Sequence, residues 1–355
     1  MKQRYLYLDI IRCLACFMVV VMHSMRGGDN ANAYIYVALS TFSKPCNALF
    51  FMTSGALLLP ANTEGRLFLK KRLGKIVLPC IIWTILYNLT QVAWSEQTFG
   101  EACCMLINIP FSEKGYGVLW FVYVLIGLYM VAPIISPWLV STQRNNVKFV
   151  LVLWGITLVF LIVRNYIFIP TDEKQMLYYF GGYIGYFLLG YYLHRWRPRV
   201  KTILLIMFLI LPFIIAVVLR MPLFSEIDRW SVLGYLSLFT ALCSLAWFLL
   251  IYKMTIQLST YSIFGRYRIK RGLIMISNLT FGVYLIHIPV QHALRQIPFV
   301  TAYGCVIELL LTIFLTFLVS LSIAYTISKW SFAQYVIGYK KIGNEETCFH
   351  SHTLS

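Results

Sequence analysis

Arg12 and His23 are the two residues whose types and spacing could do chemistry together. They lie in one apolar segment, from Leu6 to Met25, eleven positions apart. At about 100° per residue, eleven positions are three turns plus roughly 20°, so on a helix both side chains share a face. Their Cα atoms then stand about 16 Å apart along the axis. An arginine inside a membrane span costs roughly 2.5–3.5 kcal/mol on insertion scales, so it turns to a polar interior and has a task there. A guanidinium holds anions and polar oxygens, whereas an imidazole exchanges a proton near neutrality. Asp9, one turn before Arg12, is the expected ion partner. The plainer alternative sets Asp9 and Arg12 at headgroup level as anchors, and it leaves His23 unexplained. A second histidine, His287, stands near the middle of a late apolar segment. Two buried histidines, one in register with an arginine, point to a shared cavity. Lys44, Asn47, Ser54, Asn88 and Glu308 are the other polar residues set within apolar segments.

The elements that must position these residues are membrane helices. Sixty per cent of the chain is hydrophobic, only 12% is charged, and the mean hydropathy is +0.75. A soluble domain of this length cannot bury so much apolar surface, so the expected class is an all-α polytopic membrane protein. Ten candidate spans follow, at about 6–26, 34–59, 73–95, 117–137, 147–168, 176–195, 202–220, 231–252, 273–293 and 303–328. Each is near the twenty residues that cross a hydrocarbon core of roughly 30 Å. Pro79, Pro133, Pro212 and Pro289 fall inside them and are expected to kink their helices. The transmembrane unit is taken as residues 1–330, with 331–355 as a short cytoplasmic tail.

The net charge of +17 would suggest nucleic acid in a soluble protein, but its distribution explains it otherwise. One alternating set of loops and termini carries twenty-one Lys and Arg, including Arg66 to Lys75, Arg195 to Lys201 and Arg266 to Arg271. The other set carries seven, among them Arg26, Arg220 and Arg295. The positive-inside rule then puts both termini and the basic loops in the cytoplasm. The implied partner is a lipid bilayer, with no nucleic acid. The first segment is not expected to be a cleaved signal peptide, because it is long, carries Arg12 and lacks a small-residue cleavage site. The nine cysteines are scattered through spans, so neither a disulfide framework nor a metal site is implied. Cys13-Leu-Ala-Cys16 lies in an apolar helix without a second pair. The dense stretch from Arg66 to Lys75 suits either topology and anionic lipid, or phosphate groups arriving from the cytoplasm.

Four blocks, in order, resemble bacterial membrane-bound acyltransferase family 3. Leu8 to His23 contains the Arg-x10-His signature. Phe50-Phe-Met-Thr-Ser-Gly-Ala-Leu-Leu-Leu59 is similar to the second-helix signature. Leu119-Trp-Phe-Val-Tyr123, with Leu128-Tyr129 and Pro133, resembles the fourth-helix block. Phe281-Gly-Val-Tyr-Leu-Ile-His287 resembles a late block ending in histidine. Within the family, the chain is similar to the branch that includes the enterobacterial common antigen O-acetyltransferase. The resemblance implies transfer of acetyl from cytoplasmic acetyl-CoA to a hydroxyl of a cell-surface or lipid-linked glycan, in the bacterial cytoplasmic membrane. It implies a base, assigned to His23, with Arg12 and Asp9 deeper on the donor path and His287 on the acceptor side. Arg72 and Lys75 would meet the phosphates of CoA. Relatives carry Arg-x-x-Arg where this chain has Arg72-Leu-Gly-Lys75, and a histidine where it has Val118. A lysine keeps the charge but loses the planar fork. Ser54 and Ser24 are conceivable nucleophiles for a covalent route, although Ser54 beside Gly55 also suits close helix packing. A different class, a transporter or flippase for a lipid-linked sugar or small solute, would place Arg12, Lys44, His23, His287 and Glu308 along a pathway. A third option keeps the fold and replaces acetyl with succinyl or a longer acyl group.

Overall fold

The structure is a computed structural model that describes residues 4–25, 33–61, 64–94, 100, 119–167, 181–220, 232–260, 267–297 and 305–339. Among these, every regular element is helical. In chain order they are α1 (Leu6–Ser24), α2 (Ala33–Ser43), α3 (Cys46–Leu58), α4 (Gly65–Leu73), α5 (Val77–Trp94), α6 (Trp120–Ser141) and α7 (Arg144–Ile167). Then follow α8 (Ile184–Trp196), α9 (Thr202–Val218), α10 (Leu238–Thr260), α11 (Tyr267–Arg295), α12 (Cys305–Ile327) and α13 (Ala333–Val336). The expected all-helical membrane architecture is what the chain forms. Among the described residues, five helices have the length and apolarity to cross a bilayer: α1, α6, and segments Leu238–Leu258, Ile269–Arg295 and Val306–Ile327 of α10, α11 and α12. The chain is thus a multi-pass membrane protein. Cys103, Cys104, Val118 and the side chain of Asn88 lie outside the described residues.

Several boundaries differ from the expectation. The span placed at 34–59 is two helices, α2 and α3, separated at Lys44-Pro45. Pro45 cannot donate a backbone hydrogen bond, so it opens α3 and leaves the lysine at the break. Pro79 sits in the first turn of α5, where a missing N–H costs nothing. Pro133, Pro212 and Pro289 are indeed internal to helices, and Pro137 joins Pro133 within α6. The basic stretch is itself a helix, α4, carrying Lys70, Lys71 and Arg72 in its last turn.

The centre of the molecule is α1, which packs against α2, α3, α10, α11 and α12. It is buried on nearly all sides, with Ile11, Ala15, Met18 and Val20 at 1% exposure or less. Beside it, α3 and α8 approach closely through two glycines used reciprocally. A Cβ on Gly55 would lie 1.8 Å from the carbonyl oxygen of Phe187, and one on Gly190 would lie 1.9 Å from that of Met52. Such contact of bare backbone is how membrane helices gain packing without a hydrophobic drive between them. Gly185 makes room in the same way for the Trp154 indole of α7. The start of the expected tail packs back on the bundle: the Trp83 indole of α5 donates to the Val336 carbonyl at 2.9 Å.

Candidate active site

His23 and His287 come together. Their ring centroids are 5.1 Å apart at an interplanar angle of 54°. His23 occupies the last turn of α1 and keeps some exposure, whereas His287, on α11, is fully buried. His287 Nδ1 lies 2.6 Å from the Tyr284 carbonyl oxygen. A carbonyl only accepts, so Nδ1 carries the proton and Nε2 presents a bare lone pair. Among the described residues that Nε2 is buried and has no hydrogen-bond partner. A buried acceptor left open is costly, and at a functional site it marks where a proton donor belongs.

The same face of α11 fixes the end of α1. Gln291 donates from Nε2 to Ser24 Oγ at 2.7 Å, and Ser24 donates to the Val20 carbonyl at 2.8 Å. Arg295 reaches the Ser24 carbonyl at 2.9 Å and approaches that of His23 at 3.5 Å. Its guanidinium thus meets the carbonyls that the helix end leaves without intrahelical donors, where positive charge is favoured. Tyr284, His287, Gln291 and Arg295 recur every three or four residues, one stripe of α11 laid along α1. Sequence reading placed Arg295 only in a loop count and passed over Gln291. Their spacing from His287 was the available signal.

At the other end of the site, the expected pairing of Asp9 with Arg12 gives way to a different one. Asp9 is held by one edge of the Arg4 guanidinium through two bonds, Nε–Oδ2 at 2.8 Å and Nη2–Oδ1 at 2.9 Å. It also accepts from Ser277 Oγ at 2.6 Å, and Arg4 continues to Asn278 Oδ1 at 3.0 Å. The chain before α1 folds back and supplies a planar fork, which fits a carboxylate better than a neighbour sixty degrees around the helix. Asp9 therefore ties α1 to α11 and is not the partner of Arg12. Both thiols of Cys13-Leu-Ala-Cys16 face α11 as well, Cys13 toward the Leu273 carbonyl and Cys16 toward that of Thr280.

Arg12, partly buried, makes no hydrogen bond or ion pair with the described residues. Arg72 stands at the end of α4, which packs against α6, and Tyr129 of α6 is buried. Lys75 is exposed in the turn after α4, and its carbonyl lies against Gly338. Of the residues expected to act, His23 and His287 come together and Asp9 is drawn to Arg4 and α11, while Arg12 lies on α1, Arg72 at the end of α4 and Lys75 in the turn after it.

An imidazole pair can accept a proton and a guanidinium can hold an anion, and His23 and Arg12 stand about three turns of α1 apart. The family model described as an acyltransferase domain, acyltransferase family 3, matches residues 5–329. No curated protein and no solved structure gives a match.

Proposed function

The chain belongs to acyltransferase family 3, and from that premise we propose that it is a membrane O-acetyltransferase using cytoplasmic acetyl-CoA and a glycan hydroxyl of the cell envelope. The proposed setting is the bacterial cytoplasmic membrane, with ten spans and both termini inside, as the charge asymmetry favours. His23 is the base. It takes the proton of the acceptor hydroxyl as that oxygen bonds to the thioester carbonyl carbon, and it returns the proton to the sulfur when the carbon–sulfur bond breaks. The observation that carries this reading is the His23–His287 pair, because the open Nε2 of His287 offers a second acceptor beside the first. A hydrogen bond from His23 to that nitrogen would turn its other nitrogen to the substrate.

Arg12 and Arg72 suit the donor. A permanent cation inside a span, with no partner among the described residues, is poised for an anion or a polarised oxygen. Arg72, at the end of the basic helix α4, is assigned to CoA phosphates, with Lys75 contributing charge from the following turn. The distance of about three turns of α1 between Arg12 and His23 fits a donor whose phosphates lie far from its reacting carbonyl. Membranes containing the wild type or His23→Ala, at matched levels, would be given acetyl-labelled CoA and the envelope glycan counted. Loss of label in the variant by about 10²–10⁴-fold is the expected result. Equal label in both would remove His23 from the role of base.

A further inference from the structure

A cavity of about 370 Å³ opens on the side of α1 away from His287, at the level of the helix end that bears His23. Met22 and Met25 of the α1 end line it, together with the ends of α2 and α9 and the start of α10. It contains two cations, Lys44 at the break between α2 and α3, and Arg220 just after α9. Each rests over an aromatic face: Lys44 Nζ is 5.3 Å from the centre of the Tyr235 ring, and the Arg220 guanidinium is 5.8 Å from that of Tyr36. Ser40 and Thr41 add hydroxyls, and among the described residues lining the cavity none is acidic. A planar fork, an ammonium and hydroxyls around one space are the complement of a phosphate group.

The rest of the lining is apolar and the wall toward α9 borders the bilayer. Pro212 and Ala216 are buried and line the cavity, while Ile203, Met207, Ile210 and Ile214 of the same helix are exposed as a lipid-facing surface. The volume lies at the small end for ligand pockets, enough for a head group and too little for an oligosaccharide. We propose that this cavity holds the phosphate of a lipid, a phosphodiester or pyrophosphate carried on a hydrocarbon chain that remains in the bilayer. Two sources share that chemistry, a bilayer phospholipid and a polyprenyl phosphate that carries a glycan. In the second case the glycan would extend past the end of α1 toward His23.

The test uses the purified full chain in nanodiscs of phosphatidylcholine, titrated with polyprenyl phosphate or with phosphatidylglycerol, and retained lipid is read by native mass spectrometry. Lys44→Gln and Arg220→Gln are compared with Lys148→Gln, a basic position elsewhere on the surface. Each cavity variant is expected to weaken retention by about tenfold, the loss of one charged contact, with Lys148→Gln unchanged. Preference for polyprenyl phosphate identifies the carrier as the source, and equal retention of both lipids identifies the phospholipid. The exposed Arg220 keeps the test available if Lys44→Gln disturbs the fold. Wild-type retention no greater than that of either cavity variant overturns the site. Binding is read without turnover, so a chain that holds the lipid yet transfers no acetyl refutes the transferase reading alone.

Discussion

The position of one proton on His287 decides what the histidine pair can do. Because Nδ1 is committed to the Tyr284 carbonyl, only Nε2 is left to exchange a proton. On the proposed mechanism His287, beside the base His23, acts in the chemical step and not in donor binding. His287→Gln is expected to lower kcat by about 10²-fold while the KM for acetyl-CoA stays unchanged. Steady-state kinetics on detergent-purified protein would show it. A rise in KM with normal kcat would instead put His287 on the donor path. The register of Arg12 and His23 was legible because helix periodicity is local. The partner of Asp9 was not, since Arg4 competes from outside the helix and Ser277 comes from 268 positions away.

Among the helices, packing depends on where the backbone must be bare. Gly190 meets the Met52 carbonyl so closely that any side chain pushes α3 and α8 apart. Gly190→Ala is expected to cost about 1–3 kcal/mol through overpacking. The same substitution at Gly155 of α7 has open space around its Cβ and should stabilise by about 0.5–1 kcal/mol through helix propensity. Thermal unfolding of both variants in one detergent checks the opposite signs. The aromatic run ending in Tyr186 and Phe187 already suggested close packing, and both side chains are fully buried. By contrast, the division of α2 from α3 could not be read from hydropathy, because the residues on both sides of Lys44-Pro45 are equally apolar. Proline alone did not tell a kink from a break, and neighbouring helices decided the outcome.

At the scale of the whole molecule, basic residues give an orientation that labelling can test. Lys201 and Arg220 flank α9 and both are exposed. In a background with the nine cysteines replaced, Lys201→Cys should react with an impermeant thiol reagent only from the cytoplasmic side, and Arg220→Cys only from outside. Reaction of both from one side would refute the proposed topology. The contacts of α1 add a constraint in time. Its carboxylate is bound by Ser277 and its terminal hydroxyl by Gln291, both on α11. Synthesis at roughly 5–20 residues per second makes that partner on the order of 10–50 s later. Throughout that interval α1 holds Arg12 and half-satisfied polar groups within an unfinished bundle. Assembly of this protein must therefore shelter α1 until α11 arrives, and a chain cut short before α11 should be recognised and degraded as incomplete.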